Sequence, residues 1–101
     1  MRILVFFDLP MQTDKNRREY SQFHKFLIKN GYIMLQKSVY SKLAINNVTS
    51  ESEKNKIKDN LPDEGIISLL EITENQFSRM EYLIGESPNE VIDSTDRIIE
   101  L

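Results

Sequence analysis

Apolar residues fall into two patterns along this chain, unbroken runs and spaced stripes, and the contrast predicts most of its elements. Ile3-Leu4-Val5-Phe6-Phe7 is apolar at every position. Such a run predicts a strand covered on both faces, ended by Asp8-Leu9-Pro10. Tyr20, Phe23 and Leu27 then recur at helical spacing. They predict a helix that starts at a Thr13 or Asp14 cap and stops in a left-handed turn at Asn30-Gly31. Tyr32 to Ala44 reads as extended chain: Tyr32, Met34, Gln36, Ser38 and Tyr40 alternate with Ile33, Leu35, Lys37, Val39 and Ser41. It is long for one strand, so a bend near Gln36-Lys37-Ser38 is expected. Ile45 to Leu61 is polar. Asn46-Asn47, Thr49, Ser50 and the Glu51/Glu53 pair open a second helix, and Lys54, Lys56 and Lys58 close it, acid before base as the helix dipole prefers. With few apolar residues, this helix should pack lightly. Pro62-Asp63-Glu64-Gly65 is a turn, and Ile66 to Ile72 is a second strand apolar on both faces. Gln76-Phe77-Ser78-Arg79 reads as a short turn or helix and Met80 to Ile84 as a short strand. Arg97-Ile98-Ile99-Glu100-Leu101 forms a further apolar segment in acidic surroundings.

The order β, α, β(β), α, β is the split βαβ pattern of a ferredoxin-like α+β fold, a βαββαβ sheet with two helices on one face. Residues 1–75 make this core, and 76–101 make a C-terminal strand and tail of the same domain. Two helices cover only one face of the sheet. Yet the first strand offers Ile3, Val5 and Phe7 to one side and Leu4 and Phe6 to the other. The last strand does the same, with Ile66, Leu70 and Ile72 against Ile67 and Leu69. A second copy of the chain, related by a twofold axis, is the simplest cover for the open side, with some help from the tail. A homodimer formed through the sheet is therefore expected.

Length and composition narrow the function. A chain of 101 residues suits one small domain. No apolar stretch approaches the ~20 residues of a membrane span, and the N-terminal run is too short for the apolar part of a signal peptide. Cysteine is absent, which excludes disulfides, thiolate metal sites and redox motifs and fits a reducing cytoplasm. The net charge of −3 conceals an asymmetry. Residues 1–44 carry eight Lys/Arg against three Asp/Glu, while residues 45–101 carry five against thirteen. A surface charge footprint follows distribution, not total, so the acidic balance does not argue against a polyanion partner. The two halves could equally neutralise each other in the fold.

Two groups of residues carry candidate chemistry. Lys15, Arg18, Gln22, Lys25 and Lys29 share one arc of the first helix, opposite its apolar face, with Arg17 at the margin. A basic stripe is usually a solvated face. This one is diluted only by Asp14 and Glu19, and it is suited to phosphate backbones. Asp8 is the second: a carboxylate at a strand end beside a helix start, where α+β proteins often hold metals or phosphates. The other reading is a solvated strand-end residue or a local cap. His24, the only histidine, lies at the edge of the core face and reads as structural or surface.

Phe7-Asp8 at the strand end, the Arg17-Arg18 pair, Gly31 and Gln36-Lys37-Ser38-Val39-Tyr40 together carry a resemblance. The chain resembles the smaller of the two core spacer-acquisition proteins of CRISPR systems, the ferredoxin-like CRISPR-associated endoribonuclease family. Phe6-Phe7-Asp8-Leu9-Pro10, Gly31-Tyr32-Ile33-Met34-Leu35-Gln36 and the long tail resemble the type II members. The resemblance implies a homodimer that bridges two dimers of the CRISPR integrase subunit and holds a short duplex DNA, the spacer precursor. It also implies metal-dependent cleavage of RNA or duplex DNA, with Mg²⁺ held at Asp8 near the dimer axis and Arg17 and Arg18 near the nucleic acid. Chemically, Mg²⁺ takes octahedral oxygen ligands, so one Asp per chain is a poor site and two copies of Asp8 a better one. Three readings follow: a DNA-binding scaffold in an integrase complex, a Mg²⁺-dependent nuclease, and a ferredoxin-like regulatory dimer for a small ligand. For the third, the chain has no Gly-rich or pocket signature.

Overall fold

The apolar runs become one four-stranded antiparallel sheet in the computed structural model, which describes residues 1–87. The elements follow in the order β1 (Arg2–Asp8), α1 (Asp14–Lys29), β2 (Ile33–Gln36), β3 (Val39–Leu43), α2 (Asn47–Lys58), β4 (Ile66–Ile72) and a short α3 (Glu74–Ser78). The strand order β2-β3-β1-β4 puts the two continuous apolar runs side by side. This is the expected ferredoxin-like α+β arrangement.

Register assigns the faces. Val5 lies opposite Leu69 and Tyr40, and Phe7 opposite Ile67, so these residues share the inner face with Ile3. Phe23 and Leu27 of α1 and Ile57 of α2 pack on that face, and all three are buried. Each such side chain contributes about 1.5–3 kcal/mol by leaving water. Phe7 lies at the centre of an aromatic cluster, edge-on to Tyr20 and Phe23 and stacked on Tyr40. As its polar sequence predicts, α2 contributes Ile57 as its only buried apolar residue.

Local chemistry sets the boundaries. The Thr13 hydroxyl accepts from the Asn16 amide at 3.0 Å, and Asn16 answers toward the Thr13 amide, a capping box. Helix α1 stops at Gly31, whose φ of +89° supplies the left-handed stop; Asn30 itself is not left-handed. The Asn46 side chain caps α2 by accepting from the Thr49 amide at 2.9 Å. The expected acidic opening of α2 is absent: its first turn holds no acid. Glu51 and Glu53 fall one turn later, and Glu53 points into the fold, drawn by buried partners instead of the dipole.

The outer face is only partly covered. Leu4 is buried there and Phe6 half-buried. At the Arg2 end, the Arg2 guanidinium grips the Glu74 carboxylate through two hydrogen bonds and lies 4.3 Å above the Phe77 ring. That clamp folds α3 onto the sheet. Toward the other end Ile66 and Leu70 remain 68% and 51% exposed. The strand expected over Met80 to Ile84 does not form. A strand exists only by pairing its backbone with a neighbour, and this segment has no ladder partner among the described residues; it bends at residues 83–85. The apolar segment Arg97–Leu101 lies outside the described residues.

Candidate functional site

Asp8 ends β1 on the outer face and is exposed. Its side chain makes no hydrogen bond or ion pair with another described residue, whereas its backbone is held from both sides. On one side, the Phe7 amide donates to the Ser38 carbonyl at 3.1 Å. Ser38 sits in the β2–β3 turn with a φ of +67°, which makes the connection tight enough to reach β1. On the other side Gly65 enters β4 with a φ of +106°. A Cβ at Gly65 would stand 2.6 Å from a Leu9 methyl and 2.7 Å from the Asp8 carbonyl oxygen. Only glycine permits this approach, so the turn before β4 fixes the Asp8-Leu9 junction.

Between these turns lies a shallow groove of about 370 Å³, lined by Phe6, Asp8, Lys37, Val39, Ile66 and Ser68 among others. Its carboxylate donor set is Asp8 alone, and Lys37 adds a positive charge that opposes a bound cation. Among the described residues no three His, Cys, Asp or Glu side chains gather as a metal site. Among the described residues the groove thus offers a magnesium ion one carboxylate, and waters or phosphate oxygens would have to complete its shell.

The stripe residues Lys15, Arg17, Arg18, Lys25 and Lys29 are all exposed on α1. At 1.5 Å per residue, Lys15 to Lys29 spans about 21 Å. They are not equally available. Arg17 turns back on its own helix start, donating to the Met11 carbonyl at 2.9 Å, the Gln12 carbonyl at 3.2 Å and the Asp14 carboxylate. Lys15 reaches Asp63 at 3.0 Å, and that carboxylate raises its pKa above the usual lysine value. Arg18, Lys25 and Lys29 make no ion pair with another described residue. Partial neutralisation between the halves does occur: Arg2–Glu74, Lys15–Asp63 and Lys42–Glu53 join basic N-terminal to acidic C-terminal residues.

His24 is half-buried and its Nδ1 pairs with the Tyr40 hydroxyl, a structural contact deep in the aromatic cluster. Beside Asp8, the titratable side chain lining the groove is Lys37. Sequence reasoning missed three features. Gly65 was legible only as a turn glycine, without the neighbour it touches. Asp63 was read as turn chemistry, though its carboxylate holds a stripe lysine. Glu53 reads in the sequence as one of the acids opening α2, yet it is only 5% exposed and accepts from Lys42 at 3.0 Å and Tyr32 at 3.4 Å.

Comparison with known proteins agrees with this architecture. The family described as CRISPR associated protein Cas2 matches residues 1–80. A CRISPR-associated endoribonuclease Cas2 of Treponema denticola is 48% identical over 101 residues, covering 100% of both chains. Its counterpart in Streptococcus mutans serotype c (strain ATCC 700610 / UA159) is 44% identical over 101 residues, covering 100% of this chain and 93% of that one. The crystal structure of Streptococcus pyogenes Cas2 at pH 6.5 superimposes with a TM-score of 0.63 at 20% identity, covering 82% of this chain and 99% of that chain.

Proposed function

Because the chain belongs to the Cas2 family of CRISPR-associated proteins, we propose that it serves CRISPR adaptation as a homodimer that bridges two dimers of the integrase subunit and holds a short duplex DNA. The observation that carries this reading is the exposed α1 stripe, in which Arg18, Lys25 and Lys29 have no carboxylate of the described fold to answer them. Long cationic stems without interleaved aromatic residues neutralise phosphates and do not read bases. The homodimer is supported by the outer sheet face, where Leu43, Ile66 and Leu70 are each at least half exposed. A twofold partner is the simplest way to withdraw that area from water.

A second reading is endonuclease action on RNA or duplex DNA, of which the relatives' names, endoribonuclease, favour the RNA arm. It would place Mg²⁺ between two copies of Asp8, one carboxylate from each, with waters and phosphate oxygens completing its shell. The deciding experiment places Asp8→Ala in two assays on the same preparation, nuclease activity with and without Mg²⁺ and reconstituted spacer integration. The expected result is loss of any Mg²⁺-dependent cleavage, with integration and the sedimenting dimer retained. If integration fails while dimer and DNA binding survive, the bridge reading is wrong. If neither activity changes, Asp8 is a solvated strand-end residue and the nuclease reading is wrong.

A further inference from the structure

We infer that Asp63 is a built-in competitor for nucleic acid on the α1 stripe: its carboxylate occupies Lys15 in the free protein and must yield when a phosphate backbone docks there. The inference rests on the nucleic-acid reading above and adds a regulator to it.

The geometry is specific to the turn. Lys15 Nζ lies 3.0 Å from Asp63 Oδ2. The Asp63 amide donates to Glu19 Oε2 at 3.3 Å, and Glu19 stands one helical turn beyond Lys15. The same helix thus supplies the cation and the anchor that brings the anion to it. Gly65, two residues on, fixes the base of the turn against the Asp8-Leu9 junction. Both side chains are open to solvent, 56% for Lys15 and 69% for Asp63. A pair this exposed is weak, which suits a contact that opens on binding. The raised pKa of Lys15, caused first by its bond to Asp63, agrees with a lysine already in charge contact.

A lysine ammonium has three protons and could touch both anions, but then Asp63 would stand beside a phosphate at like-charge distance. Docking therefore either displaces the turn or loses affinity to that repulsion. In both cases removing the charge at Asp63 strengthens binding. Arg18, Lys25 and Lys29 have no such competitor among the described residues, so the effect is confined to the N-terminal end of the stripe.

The test measures affinity for random-sequence duplex DNA across a salt series, using wild type, Asp63→Asn, Glu64→Gln, Lys15→Ala and the Lys15→Ala/Asp63→Asn double variant. Glu64 removes the same charge from the same turn without an ion pair to Lys15. Asp63→Asn should tighten binding about two- to fivefold at low salt, the range expected for an exposed pair. Glu64→Gln should gain less, and the gain from Asp63→Asn should vanish in the Lys15→Ala background. A gain equal to that of Glu64→Gln, or one that persists without Lys15, overturns the inference, because it then reflects net charge alone. No gain, in a protein whose binding still falls with Arg18→Ala, overturns it and leaves the nucleic-acid reading standing. A wild-type chain that binds no duplex overturns both.

Discussion

Two carboxylates, Asp8 at the end of β1 and Glu53 on α2, have exchanged the roles their sequence contexts suggest. Asp8 follows a fully apolar strand, yet it emerges exposed and without a side-chain partner among the described residues. Glu53 sits in the most polar stretch of the chain, yet it is buried and held by Tyr32, Lys42 and, at 3.6 Å, Lys56. Lys42 also donates to the Asn30 carbonyl at 2.6 Å, so the cluster ties the end of α1 to β3 and α2. A buried carboxylate is tolerated only when its lone pairs are filled and its charge answered. Glu53 meets that condition and is thereby committed to structure. Asp8 is free of it and remains available for a ligand. Availability, not burial, marks the candidate site.

The strongest way to break this contrast is to remove each carboxylate in turn. Glu53→Ala leaves the Lys42 ammonium, three-quarters buried, without its anion. It should lower stability by about 2–3 kcal/mol, somewhat below the range for a fully buried pair because Lys42 keeps some solvent. Asp8→Ala should stay within about 0.5 kcal/mol of wild type, as surface substitutions do. Urea unfolding at one fixed protomer concentration compares them, since a dimer makes apparent stability concentration-dependent. Equal losses at the two positions would remove the distinction between a committed and an available carboxylate.

Gly65→Ala should come next, at about 2 kcal/mol. The added Cβ meets the Asp8 carbonyl and Leu9 at a positive φ, so either the turn or the Asp8 junction must move. The comparison is sharpened by where the damage falls: amide chemical shifts should change at residues 7–9 and 63–66 and stay fixed around Glu53. Changes spread evenly over both regions would contradict a local support for Asp8.

Arg18→Ala carries a smaller effect, on binding and not on folding. Affinities for unrelated duplexes should fall by similar factors, with the salt slope reduced by about one. Arg17→Ala should change the slope less, because its guanidinium is already engaged by the Met11 and Gln12 carbonyls and Asp14. A loss confined to one DNA sequence would contradict a backbone contact.

These positions also show what the chain pattern makes legible. Ile3 to Phe7, the stripe Tyr20, Phe23 and Leu27, and the break at Lys37-Ser38 encode their elements locally, through periodicity and turn chemistry. The strand order is not encoded in the same way: β1 is central, but the equally apolar β4 lies at the sheet edge beside it. The burial of Glu53 is not legible in the sequence, because its partners come from β3 and from Tyr32 just before β2, and no window of sequence joins them. Asp63 and Lys15 are separated in the same way. The segment Met80 to Ile84 has the composition of a strand without a partner to pair with in the described chain, and composition alone does not create a ladder.

The smallest effect at neutral pH, and the most telling about the Glu53 cluster, is expected from Tyr32→Phe. The hydrogen bond it removes is long, 3.4 Å, so the loss should be only about 0.5 kcal/mol. The informative readout is alkaline. Burial raises the pKa of the Tyr32 hydroxyl well above its ordinary value, and the neighbouring Glu53 carboxylate raises it further. In the unfolded chain the phenol ionises near pH ~10, while in the fold it stays neutral to higher pH. The unfolded state therefore releases this proton first. The stability tied to it is complete below pH ~10 and is lost progressively as pH rises from there toward the folded pKa. Tyr40 is also raised, mainly by burial, and contributes with the same sign. Tyr32→Phe should thus show a shallower decline above pH ~10 than wild type, with a residue of slope left by Tyr40. Asp8→Ala, outside that cluster, should leave the wild-type decline unchanged. If Tyr32→Phe declines as steeply as wild type, the Glu53 cluster does not hold Tyr32 neutral, and the distinction between the two carboxylates rests on burial alone.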